Sequence, residues 1–316
     1  MRVYSIPMRT HFRGITRREG VLIHGPAGWG EFSPFAEYGA QESARWLATA
    51  REAAYDGWPA PLRDRVPVNA TVPAVDPERA YAITKVSGCR TAKVKVAEPG
   101  QTDADDLARV EAARDAVGPA GKVRIDANGG WDVDHAQRMI KMLDRFDLEY
   151  AEQPCATLEE LAEVRRRVDV PIAADESIRR ADDPLRVRAA EAADIAVLKV
   201  QPLGGVRNAL RVAEGCGLPV VVSSALETSI GLAAGLALAA ALPALPYACG
   251  LATLSLLEGD VVADPLLAEA GEIPVRRPDV DEAALARYEI DGHDWRRKVA
   301  DAQSLMDAPP VIGVIR

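Results

Sequence analysis

Thr91-Ala92-Lys93-Val94-Lys95-Val96 and Lys122-Val123-Arg124-Ile125-Asp126 are brief apolar runs with charges embedded in them, separated by a helical pattern over Ala104–Val117. Runs this short that keep a strongly apolar character are typical of strands covered on both faces, as in a parallel sheet under helices. The same unit recurs in both directions along the chain. Before it come a strand over Val66–Val72 and a helix over Pro77–Val86. After it come Val133–Leu143 (helix), Leu148–Glu152 (strand), Leu158–Val168 (helix), Pro171–Asp175 (strand), Pro184–Ala192 (helix) and Ile195–Val200 (strand). The series closes with Gly205–Glu214 (helix), Pro219–Ser223 (strand), Ser229–Ala241 (helix) and Tyr247–Gly250 (strand). Eight strand candidates with intervening helices predict a parallel α/β barrel of the (β/α)8, TIM-like type over residues 66–263. An open doubly wound sheet is the competing architecture. It is weakened by the lack of a Gly-x-Gly-x-x-Gly turn after an early strand and of a Walker A loop.

Residues 1–65 read differently. Tyr4–Met8 and Gly20–Gly25 are strand candidates, Trp29–Pro34 reads as a turn-rich loop, and Gln41–Tyr55 has a helical pattern. The basic stretch His11–Arg18 between the two strands reads as a loop, either an ordinary exposed hairpin loop or a mobile anion-binding lid. Residues 264–316 are richer in Pro and charge. They are expected to leave the barrel and complete a small α+β capping domain with the N-terminal segment.

Composition narrows the function classes. The 316 residues carry 38 basic and 47 acidic side chains, a formal net charge of −9, so no bulk cationic surface suits nucleic acid. Four cysteines, Cys89, Cys155, Cys216 and Cys249, are too widely spaced for a zinc knuckle and too few for a disulfide scaffold. The N-terminus has no long apolar stretch of the secretory kind, which sets a cytoplasmic expectation. No charge occurs between Thr228 and Leu257, but Pro243 and Pro246 interrupt that segment. It reads as a buried helix and strand, not a membrane span. A monomer and a homodimer both fit the sequence.

In a barrel of this kind the strand C-termini converge on one open site. Here they supply Lys93 and Lys95, then Asp126 and Asn128, Glu152, Asp175 with Glu176, Lys199, and finally Ser223, Ser224 and Glu227. Charges embedded in apolar strands are costly unless they are paired or bound to metal. Asp126, Glu152 and Asp175 recur at intervals of one strand-helix unit, and three oxygen ligands on neighbouring strands suit a hard divalent cation, Mg2+ with Mn2+ as a substitute. Lys93 and Lys95, two apart on one strand, share a face, and Lys199 comes from the opposite side. A lysine partly desolvated beside another cation gives up its proton more readily and can act as a base. Together with a metal on a carboxylate this predicts proton abstraction alpha to the carboxylate of a small-molecule substrate. Schiff-base chemistry on a barrel lysine and a non-catalytic anion-binding protein are the competing classes. The first does not need three metal-type carboxylates, and the second has no reason to keep paired bases facing a metal.

Ala92-Lys93-Val94-Lys95-Val96, Ile125-Asp126-Ala127-Asn128, Tyr150-Ala151-Glu152-Gln153-Pro154, Ala174-Asp175-Glu176-Ser177 and Leu198-Lys199-Val200, in this order, resemble the enolase superfamily in its muconate-lactonizing-enzyme-like subgroup. The short lead before Lys93 is similar to actinobacterial members that work in menaquinone biosynthesis. That resemblance implies Mg2+ on Asp126, Glu152 and Asp175, Lys95 as the base, Lys93 as an assisting cation and Lys199 on the other face of the substrate. It implies a hydro-lyase reaction, the syn dehydration of 2-succinyl-6-hydroxy-2,4-cyclohexadiene-1-carboxylate to 2-succinylbenzoate through an enediolate. It also assigns the stretch Arg13–Arg18 to a mobile cap loop, with Arg13 or Arg17 near the succinyl carboxylate, and puts Ser223, Ser224 and Glu227 in contact with substrate. Racemisation of N-succinylamino acids by Lys95 and Lys199 is the alternative. Dipeptide epimerases carry an Asp-x-Asp pair at the eighth strand, and Tyr247–Thr253 contains no acid.

Overall fold

The computed structural model describes residues 1–12, 14–179 and 185–307. Its centre is a seven-stranded parallel sheet. In spatial order the strands are β5 (Ala70–Val72), β6 (Thr91–Lys95), β7 (Lys122–Asp126), β8 (Leu148–Glu152), β9 (Ile172–Ala174), β10 (Ile195–Leu198) and β11 (Val220–Val222). The eighth position is held by two residues. Cys249 bridges in parallel to Val68 and Gly250 to Ser223, so both edges of the sheet are joined and the barrel is closed. Cys249 N–H donates to Pro67 O at 2.7 Å and Gly250 N–H to Val222 O at 2.8 Å. A Cβ on Gly250 would stand 2.7 Å from Ser223 Oγ, which is why glycine occupies this seam. The expected strand Tyr247–Gly250 thus shrinks to its last two residues.

Side-chain alternation sorts each strand into two faces. Tyr150, Ala173, Ile195, Val197 and Val221 form a small cluster of their own inside the barrel. Their strand neighbours Ala151, Ile172, Ala174, Ala196, Leu198 and Val222 join the large core that packs under the helices. The charge-free segment resolves into the helix Ser229–Ala241, buried throughout except at its last residue, and a 3-10 turn over Ala252–Leu256. No helix among the described residues is long and apolar enough to cross a membrane. The expected helix Pro184–Ala192 starts outside the described residues, and its described part is a single turn, Arg186–Ala189.

The cap is an antiparallel meander of β1 (Arg2–Phe12), β2 (Ile15–Gly25) and β3 (Gly28–Phe32), followed by the helix Ala40–Arg51, which continues as a π-helical turn over Glu52–Asp56. Trp29–Phe32 lies in a strand and not a loop, because it pairs with His24–Val21 across the sheet. The basic stretch is taken up mostly by β1 and β2, with Phe12 paired opposite Ile15. Arg17 and Arg18 therefore lie within β2, and Arg13 lies outside the described residues. The single strand read over Val66–Val72 divides: β4 (Arg65–Pro67) pairs antiparallel with β12 (Glu272–Pro274), and the chain then enters the barrel as β5. The C-terminal segment returns to the meander, as expected. Ile290 N–H donates to Val3 O at 3.0 Å, Ser5 N–H donates to Tyr288 O at 2.9 Å, and Trp295, on the helix His293–Asp307, packs edge-on against Phe32.

Candidate active site

Strand register brings the acidic and basic residues into rows across the barrel. Lys95 lies opposite Asp126, and Asp126 opposite Glu152. One layer deeper, Thr71, Lys93, Arg124 and Tyr150 form the next row. Asp175 follows Ala173 by two residues and Lys199 follows Val197 by two, so both continue the inward faces of β9 and β10 at the barrel mouth.

These side chains meet. Lys93 Nζ lies 2.8 Å from Asp126 Oδ2 and 2.7 Å from Glu152 Oε1. Lys95 Nζ lies 2.7 Å from the same Asp126 oxygen and also donates to Asn128 Oδ1. Lys199 Nζ lies 2.6 Å from Asp175 Oδ2. Asp126, Glu152 and Asp175 are essentially buried. Burial by itself would raise Asp126, but the ammonium groups of Lys93 and Lys95 outweigh it and hold the carboxyl well below the usual range. Glu152 is pushed up to about 7 by burial, reinforced by the charge of Asp126. Burial pulls Lys93 down, yet Asp126 and Glu152 more than compensate and keep it firmly protonated.

The backbone turns sharply at this mouth. Ala97, Asn128, Gln153 and Leu226 all have positive φ, between 40° and 67°, and each follows a barrel strand by a few residues. Non-glycine residues in this region carry strain that persists only where the surroundings enforce it, commonly at functional sites. Gln153 shows how it is enforced. Its Oε1 accepts from Asp175 N–H at 3.0 Å and Ser177 N–H at 3.2 Å, and its Nε2 donates to Ser177 Oγ and Cys155 O. The turn after Glu152 is thereby stitched to the loop that presents Asp175. The sequence motif contained Gln153 without revealing this task, because the partner loop lies 22 residues further on. Phe12 was also missed. The end of β1 carries its ring to 5.5 Å from Lys95 Nζ, in cation–π range.

Several other expected residues are engaged by the protein itself. Arg17 is held at home by Ser5, through Nε to Oγ at 2.7 Å and Nη2 to the carbonyl at 2.8 Å. Arg18 is 2 % exposed, donates to Leu226 O at 2.9 Å and to Ser33, and stacks on Phe35. Arg18 is thereby committed to the seam between cap and barrel, whereas Arg17, exposed, bonds only to Ser5 among the described residues. Glu227 turns its carboxylate back onto Ala225 N–H, 2.9 Å from each oxygen, and is pushed up to about 7 by burial and by nearby Glu31. Ser224 Oγ is taken up by Thr253, while Ser223 lines the seam at Gly250.

As they stand, no three His, Cys, Asp or Glu side chains among the described residues gather tightly enough to hold a metal ion. The donor chemistry nonetheless fits a hard divalent cation. Asp126, Glu152 and Asp175 offer only oxygen, and Glu152 Oε2 is buried without a hydrogen-bond partner among the described residues. The Lys93 ammonium already bridges Asp126 and Glu152 as a cation.

Comparison with known proteins agrees with this architecture. The family model "Enolase C-terminal domain-like" matches residues 77–279, and "Enolase N-terminal domain-like" matches residues 3–54. An o-succinylbenzoate synthase of Thermobifida fusca is 72% identical over 303 residues, covering 96% of both chains. That of Mycolicibacterium smegmatis is 58% identical over 288 residues, 90% of this chain and 88% of its own. Among solved structures, muconate lactonizing enzyme from Pseudomonas fluorescens, complexed with muconolactone, matches with a TM-score of 0.79 at 22% identity, covering 92% of this chain and 97% of that one. The L-Ala-D/L-Glu epimerase from Bacillus subtilis matches with a TM-score of 0.73 at 25% identity, covering 88% and 95%.

Proposed function

The chain belongs to the enolase superfamily, and from that premise we propose that it acts as an o-succinylbenzoate synthase. It removes water from 2-succinyl-6-hydroxy-2,4-cyclohexadiene-1-carboxylate and releases 2-succinylbenzoate. The observation that carries the reading is the two-sided placement of Lys95 and Lys199 about a row of buried carboxylates. The near-full-length likeness to synthases of this name supports the choice of substrate.

Lys95 in its neutral form takes the proton from the ring carbon that bears the carboxylate. The electron pair left behind delocalises into that carboxylate as an enediolate. The same ammonium then hands a proton to the hydroxyl on the neighbouring carbon. The C–O bond breaks, water leaves from the face the proton left, and the ring becomes aromatic. One proton and one hydroxide are lost, so the balance is a single water. Lys199, on the opposite side, offers its cation to the developing negative charge. Lys93 stays protonated and keeps Asp126 and Glu152 from repelling each other. Asn128, bonded to Lys95 Nζ, fixes where that ammonium points. Asp126, Glu152 and Asp175 would hold Mg2+, with Mn2+ as a substitute. When bound, that ion supplies the Lewis-acid charge that makes a carbon beside a carboxylate acidic enough to react.

The test is turnover of the cyclohexadiene carboxylate, followed as the aromatic product forms, by wild type, Lys95→Ala and EDTA-treated enzyme. Dehydration that fails in the latter two supports the reading. Absence of dehydration together with alpha-proton exchange on N-succinylamino acids would move the function to a racemase using Lys95 and Lys199. Inertness towards both would sink the substrate assignment.

A further inference from the structure

A cleft of about 660 Å³ is lined by Lys95 and Asn128 together with Arg9 and Thr10 from β1 and Arg79 from the first turn of the helix Pro77–Ser87. Its barrel-side wall is firmly built. Arg109, 1 % exposed, donates to Val75 O at 2.7 Å and to Lys95 O at 2.8 Å, and Gln101 Nε2 donates to Ala74 O at 3.0 Å. The loops after β5 and β6 are therefore tied together and to the backbone of Lys95.

The two arginines stand out by their partners. Arg79 Nη2 donates to Thr10 Oγ1 at 2.9 Å, and Arg9 donates to the carbonyls of Leu257, at 2.9 Å, and Glu258. These neutral bonds orient each guanidinium and leave its charge uncompensated by any carboxylate among the described residues. Thr10 Oγ1, having accepted from Arg79, still has its own proton to donate. Two acids, Asp76 and Glu98, also line the cleft against the three cations. Asp76 Oδ1 is engaged as the helix cap, accepting from Arg79 N–H at 2.9 Å. In a chain of net charge −9, oriented and uncompensated arginines in the same cleft as the proposed base form a local anion trap.

We propose that Arg79, backed by Arg9 and Thr10, anchors the distal carboxylate of a dicarboxylate substrate whose reacting carbon lies at Lys95. The inference rests on the o-succinylbenzoate synthase reading and adds to it the residue that recognises the succinyl end. This role falls to a barrel helix and to β1, whose residues line the cleft with Lys95, while Arg17 is not among its lining residues. A guanidinium can take a carboxylate bidentately, so the preference is for a free acid over an amide or ester of the same length.

Steady-state kinetics of Arg79→Met and Arg79→Lys decide it, using the succinyl substrate and an analogue whose distal carboxylate is a primary amide. The expected outcome for Arg79→Met is a rise in KM for the dicarboxylate of about tenfold, with kcat much less affected, and little further loss on the amide. Arg79→Lys recovers part of the loss. An unchanged KM, or an equal rise for acid and amide, overturns the proposal. Calorimetric titration of 2-succinylbenzoate and its succinyl amide into wild type and Arg79→Met keeps the question separate from turnover. If wild type proves inactive, the synthase reading falls. The anchor still stands or falls on whether wild type prefers the acid and the variant does not.

Discussion

Glu31, a residue of the cap, accepts a hydrogen bond from Gly231 N–H at 3.0 Å in the first turn of the barrel helix Ser229–Ala241. The same carboxylate takes Tyr4 OH and Ser33 Oγ, each at 2.7 Å, as well as Thr228 N–H and Oγ1. A Cβ at residue 231 would stand 2.7 Å from Glu227 Cβ and 3.0 Å from Glu31 Cδ, so the glycine makes room for both acids. A negative charge at a helix N-terminus is stabilised by the orphan N–H groups there, and in this case it also fastens cap to barrel. Glu31→Ala would leave several buried donors without a partner. The expected cost is about 3 kcal/mol in chemical denaturation. A loss under about 0.5 kcal/mol, the range of ordinary surface substitutions, would contradict this account.

Glu227 adds a pH dependence at the same seam. Its folded-state value of about 7 lies above the ordinary glutamate value of 4.5, from burial first and then the charge of Glu31, with Arg18 opposing. A raised carboxyl means that the folded chain holds the proton more tightly than the unfolded one. The contribution is full below about pH 4.5 and is lost as pH rises through about 7, by up to about 3 kcal/mol. The difference in unfolding free energy between wild type and Glu227→Gln should shift in favour of the variant between pH 5 and pH 8. A difference that does not change with pH would refute the assignment.

Removing the proposed base should cost about a thousandfold in kcat for Lys95→Ala with little effect on the melting temperature, since Lys95 lies at the barrel mouth and Asp126 keeps its bond to Lys93. Lys93→Ala is expected to differ by lowering stability as well, because it leaves Asp126 and Glu152 buried side by side without their bridging cation. Melting curves and rates measured on the same preparations separate the two behaviours.

Metal should act on stability as well as on rate. If Asp126, Glu152 and Asp175 hold Mg2+, adding it at about a hundred times its Kd should stabilise the fold by about 2.7 kcal/mol, and EDTA should reverse the gain. Glu152→Gln should abolish the shift. A wild-type melting temperature indifferent to Mg2+ and to chelator would count against these three ligands.

The order of elements was legible from local pattern. Strands over Lys122–Asp126 and Leu148–Glu152 and the helix Val133–Leu143 fall where the sequence puts them, because their burial on both faces or one is written in consecutive residues. The acids and lysines at strand ends could be nominated for the same reason, as charges that apolar strands do not tolerate without a task. Contacts between distant segments decided the rest. Gly28–Phe32 is a strand only because β2 pairs with it, and Val66–Val72 divides only because Glu272–Pro274 claims its first half. Arg18 is fixed at the seam of cap and barrel because Ser33 and the carbonyl of Leu226 lie within its reach in the folded chain, and Arg17 is oriented by Ser5. Arg79 became a candidate anchor only when β1 brought Thr10 and Arg9 beside it. A hydrogen bond between residues tens of positions apart leaves no periodicity in the sequence, so these assignments belong to the tertiary structure alone.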